Sequence, residues 1–68
     1  MKDYIDRITE LRIDNDIKQK TIADLIGIKQ GHYSEIENKK KKLTIEQLMT
    51  LCHFYKKTPN YILGWPET

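Results

Sequence analysis

Five small or polar residues, Gln30, Gly31, His32, Ser34 and Glu35, surround two larger apolar ones, Tyr33 and Ile36. Tyr33 and Ile36 stand three residues apart and share one helical face. A helix held down by two anchors, with its other side polar, is suited to insertion into something. The Gln30 amide donates and accepts at once, a pattern that matches the paired N6 and N7 groups of adenine. Its bland alternative is polar filler at a helix start. Glu35 can accept from cytosine N4, repel phosphates and so exclude wrong sequences, or simply face solvent. His32 can contact a phosphate or a base. Gly31 either lets the helix lie closer to a partner or weakens the helix until a partner orders it. No carboxylate pair, nucleophile–base set or phosphate loop is present, so catalysis is not expected. Two histidines and one cysteine at unsuitable spacing give no metal site, and no cofactor is expected.

These residues need a frame. Ile22, Ala23 and Ile26 form one apolar stripe, Gly27 stops that helix, and Ile28 anchors the start of the next. Two short helices joined at a glycine, over about residues 18–38, make a helix-turn-helix whose second helix enters the DNA major groove. Upstream, Asp3 is a helix N-cap with Asp6 favouring the positive end, and Ile5, Ile8, Leu11 and Arg12 share a face that ends at Asp14-Asn15-Asp16. Downstream, Thr44 and Gln47 have capping-box form before Ile45, Leu48, Leu51, Cys52 and Tyr55 at core spacing. Thr58-Pro59 starts a last short helix that Gly64 stops. The expected fold is all-α: a compact bundle of five helices forming one domain over residues 1–68.

The ordered set Gln19, Ile22-Ala23, Ile26-Gly27-Ile28 and Ile36-Glu37-Asn38 resembles the phage Cro/repressor type of helix-turn-helix, the XRE family. The match runs without gaps from about Ile8 to Leu63 and implies a lambda-repressor-like DNA-binding domain. The resemblance implies base reading at Gln30, Gly31, His32, Ser34 and Glu35. It implies phosphate contacts from Lys18 and Gln19 on one side and from Asn38, Lys39, Lys40, Lys41 and Lys42 on the other, with Lys29 between them. It also implies a salt bridge between Arg12 and Glu37, against the plainer reading of Arg12 as a solvated stem covering the core edge. Tyr33 takes a core position, its hydroxyl within reach of backbone. Lys29 departs from the pattern, since a Ser or Thr N-cap is usual there.

The net charge of +2 is too small to indicate nucleic acid, but its distribution is telling. Ten of the twelve basic residues are lysine, and four of those are consecutive at residues 39–42, directly after the second helix. Cys52 is the single cysteine, which excludes an intrachain disulfide and fits a reducing cytoplasm. No signal peptide or run of ~20 apolar residues points to a membrane. Tyr61, Ile62, Leu63 and Trp65 form a candidate dimer surface, or else cap the core. The expected function is sequence-specific binding of double-stranded DNA, at a palindromic operator and as a homodimer, by a small regulator that represses through occupancy. No sensor domain is expected, so regulation would come from concentration, a regulatory protein partner or proteolysis. The alternatives are an antitoxin, a restriction-system controller, or a protein-interaction module that no longer reads DNA.

Overall fold

A computed structural model describes residues 2–66. Its elements are helices α1 (Tyr4–Asp14), α2 (Gln19–Ile26), α3 (Gln30–Glu37), α4 (Ile45–Tyr55) and α5 (Pro59–Leu63). Three of them start on side-chain caps. Asp3 accepts from the Asp6 amide at 2.9 Å while Asp6 reaches back to the Asp3 amide at 3.0 Å, closing a capping box. Thr44 and Gln47 close a second box at 3.1 and 3.0 Å, and the Thr58 hydroxyl accepts from the Tyr61 amide ahead of Pro59. Helices α2 and α3 begin instead on Lys18 and Lys29, neither of which makes a side-chain capping bond.

All five helices end alike. A residue in the left-handed region follows each one, and a paired set of backbone bonds spans the turn. At Gly27 (φ 76°) the Ile28 amide donates to Ala23 at 2.9 Å and the Gly27 amide donates to Asp24 at 3.3 Å. The same pattern recurs at Asp16, Lys39, Lys56 and Gly64. Three of these five are not glycine, and each such residue carries roughly 1–2 kcal/mol of local strain.

The core is built from Ile5, Ile8 and Leu11 of α1, Ile22 and Ala23 of α2, Tyr33 and Ile36 of α3, Leu51 and Cys52 of α4, and Ile62 of α5. Every helix therefore contributes, and α2 packs most extensively against α3. Two expectations need correcting. Ile45 is 75% exposed, because the buried face of α4 is centred on Leu48, Leu51, Cys52 and Tyr55 and Ile45 lies off that centre. Ile62 is fully buried in the core, so it is withdrawn from the candidate dimer surface. Tyr61 and Trp65 remain exposed, with Leu63 in between.

Candidate nucleic-acid interface

Beneath the helix-turn-helix lies a largely buried ionic cluster. Arg12 of α1 holds Glu37 of α3 in a fork, Nε to Oε2 at 2.8 Å and Nη2 to Oε1 at 3.0 Å. Its third nitrogen, Nη1, donates to the Ile17 carbonyl at 2.9 Å, ahead of α2. Gln19, the first residue of α2, adds a bond from Nε2 to Glu37 Oε1 at 3.0 Å. The two charged side chains are only 14% and 7% exposed, so three helices are pinned together in a place where water screens the pair weakly. Burial pushes the Glu37 carboxyl up, yet the bonds from Arg12 and Gln19 outweigh it and hold it below the usual carboxylate range. The bond to Glu37 likewise raises the Arg12 guanidinium.

Two tyrosines close this cluster. The Tyr33 hydroxyl does not reach backbone: it is buried without a well-formed hydrogen bond, beside the Glu37 carboxylate. Burial and that negative neighbour push it up. Tyr55 is similarly buried and unpaired, and burial pushes its hydroxyl to about 12. Sequence reasoning missed Tyr55 as a member of this cluster. Its i+4 spacing from Leu51 marked it only as core.

With Tyr33 and Ile36 turned inward, α3 leaves the rest of its surface open. Gln30 and Gly31 are exposed, and His32, Ser34 and Glu35 are partly so. A side chain added at Gly31 would meet nothing within 4 Å, so the glycine is not required by close packing. It borders a shallow recess shared with Gly27, Ile28, Lys29, His32 and Asp24, beside the turn between α2 and α3.

The flanks are basic but not uniformly free. Lys18 and Lys29 are exposed at the uncapped starts of α2 and α3, where the first backbone N–H groups have no partner within the helix. After α3, Asn38 is exposed and Lys39 turns back to α1. The Lys39 ammonium lies 3.1 Å from both Asp3 and Asp6, tying this loop to the capping box of α1. Lys41 lies 3.7 Å from Glu35, a loose pair across the end of α3. Lys40 and Lys42 are exposed. Among the described residues no group of three or more His, Cys, Asp or Glu side chains could hold a metal ion, and no helix is long and apolar enough to cross a membrane.

The helix-turn-helix family profile matches residues 8–62. The chain is 31% identical over 61 residues to the uncharacterized HTH-type transcriptional regulator YobD of Bacillus subtilis (strain 168). That match takes in 90% of this chain and 54% of YobD, so the chain spans about half the length of this curated relative. In structure it is similar to the P22 c2 repressor protein, solved in complex with synthetic operator 9T, with a TM-score of 0.82 at 21% identity. That likeness covers 97% of this chain and all of the repressor chain, and it establishes the five-helix fold. The chain belongs to the helix-turn-helix family.

Proposed function

We propose that this protein is a transcriptional regulator that binds double-stranded DNA sequence-specifically, with α3 in the major groove. The observation that carries this reading is a contrast among helix starts. Helices α1, α4 and α5 are closed by capping side chains, whereas α2 and α3 open with uncapped lysines. A cation at a helix N-terminus opposes the helix dipole by about 0.3–1 kcal/mol, so stability does not explain it. Phosphates do: they would accept from the open N–H groups and pair with the adjacent ammonium groups. On this reading Lys18, Gln19 and Lys29 clamp one stretch of backbone, and Asn38 with Lys40, Lys41 and Lys42 clamps the other. Gln30, His32, Ser34 and Glu35 then face base edges, with Gly31 giving them closer approach.

The regulator acts as a repressor, by covering an operator and excluding polymerase. Two copies related by a two-fold axis would set their α3 helices about 34 Å apart on a palindrome. The P22 c2 repressor, solved in complex with a synthetic operator, supports this reading through its fold. The setting is the cytoplasm, and a regulatory protein could bind the free sides of the bundle.

The test is selection of binding sites from random duplexes, followed by a salt titration of the preferred site. A palindromic site is expected. Gln30→Ala should lower affinity for that site by roughly 1–3 kcal/mol and relax preference at one base pair in each half. Binding without any enriched sequence would overturn the base-reading role of α3 and turn attention to protein partners.

A further inference from the structure

The outward side of α4 is not polar throughout. Ile45, Met49 and His53 follow one another at four-residue spacing and form a single stripe, with Met49 49% exposed. Beside them, Leu25 of α2 and Phe54 of α4 are also exposed, and with Met49, Thr50 and His53 they line a shallow apolar groove. None of these residues belongs to the base-facing side of α3 or to the phosphate clamps. Singly exposed apolar residues need no explanation, but a contiguous set along one helix does.

The charges at its two ends indicate what covers it. Glu46 stands in the first turn of α4. Lys56 caps the other end and Lys57 follows, both bordering Met49 and His53 in an adjoining groove. The Lys57 ammonium is steadied there, 4.7 Å from the centre of the Tyr61 ring. From Glu46 through Met49 to the lysine pair just past α4 the face therefore reads acidic, apolar, basic, with Ile45 at the acidic end, beside a helix of eleven residues and about 16 Å. That order is complementary to its own reverse. When two such faces meet antiparallel about a two-fold axis, each Glu46 lies opposite the lysine pair of the other copy, and the apolar stripes meet between them. The opposed helix dipoles favour the same arrangement.

We propose that this face of α4 is where a second copy of the chain docks, antiparallel about a two-fold axis. The proposal specifies the dimer surface for the reading given above, yet it does not depend on base recognition, because association is measured without DNA. The contact is small, so the dimer is weak and strengthens when both copies sit on one duplex.

Sedimentation equilibrium of the full chain from about 10 μM to about 1 mM tests it, a range suited to a contact of less than standard size. The mass should rise from one chain towards two. Glu46→Lys alone, or Lys56→Glu with Lys57→Glu, sets like charges opposite each other, and each variant should raise the dissociation constant by about tenfold or more. Mixed in equal amounts, the two variants should associate again, because every cross-contact then pairs opposite charges. Circular dichroism melts establish that each variant is folded, and Met49→Gln, at an exposed position, weakens association without touching the charges. A wild-type chain that stays single throughout overturns the proposal and gives the face to a partner of different sequence. Variants that associate as wild type, or a mixture that does not recover, overturn it as well. Loss of operator binding with association intact would instead count against the DNA reading alone.

Discussion

Glu37 is the shared acceptor of the cluster that joins the first three helices. Arg12 and Gln19 both bond to it, and removing one partner of a buried pair leaves the other charge without compensation, at about 3–5 kcal/mol. A bundle of five short helices this small has only a few kcal/mol of net stability. Glu37→Ala should therefore leave the chain largely unfolded at 25 °C, while Arg12→Met with Glu37→Leu should recover much of the loss by packing. The cluster also sets an acid limit. The folded Glu37 carboxyl titrates below its unfolded value, so its contribution is complete above the ordinary glutamate range, about pH 4.3, and is lost as pH falls through the lower folded value. Urea titrations from pH 7 to pH 3 should show stability falling below about pH 4.3, and Arg12→Met with Glu37→Leu should flatten that fall. Some acid dependence should persist in the double variant, because Asp3 is also held low by the Asp6 amide and by Lys39. An unchanged pH profile would remove Glu37 from this role.

At the scale of the helices, both starts and ends were largely legible, and what the sequence did not show is the conformation that closes three of the ends. Asp3, Thr44 and Thr58-Pro59 announce caps because a short oxygen-bearing side chain before an apolar run has one good use for its acceptor. Gly27 and Gly64 announce stops because glycine accepts positive φ without strain. Asp16, Lys39 and Lys56 take the same conformation although none is glycine, since there the paired backbone bonds, rather than the residue type, fix the turn. Ile45 was misread for a related reason: spacing places a residue on a stripe but not at its centre. In the site, the open side of α3 could be read from Tyr33 and Ile36 alone. The engagement of Lys39 with Asp3 and Asp6 could not, because it joins residues 33 or more apart in the chain. The uncapped lysines lead to a prediction at this scale. Lys29→Asp supplies the missing N-cap and should stabilise the fold by about 1 kcal/mol, seen as a higher thermal midpoint. The same change sets a carboxylate against phosphate and should weaken operator binding by about tenfold or more. A variant both more stable and equally tight on DNA would mean that the open start of α3 does not serve phosphate binding.

Across the whole molecule, the lysine run divides into two jobs. Lys39 faces inward along the surface, bonded to the first helix, while Lys40 and Lys42 face solvent at the end of α3. A lysine already paired with carboxylates releases few counterions when a phosphate approaches, because its charge is partly neutralised beforehand. Only the free lysines should then govern the salt dependence of binding. Each phosphate they neutralise steepens the slope of log K against log salt by about 0.9. Lys40→Ala with Lys42→Ala should therefore flatten that slope by about 1.8, with little change in the thermal midpoint. Lys39→Ala should do the reverse, lowering the thermal midpoint while leaving the slope nearly intact. The bond network gives a reason for the division: by anchoring to Asp3 and Asp6, Lys39 holds the loop after α3 against α1 and fixes where the next lysines stand. If Lys39→Ala flattens the slope as much as either of the others does, the lysine must leave α1 for phosphate when DNA binds. The first helix would then be released at the moment of recognition, and protection of its amides from hydrogen exchange should fall in the complex.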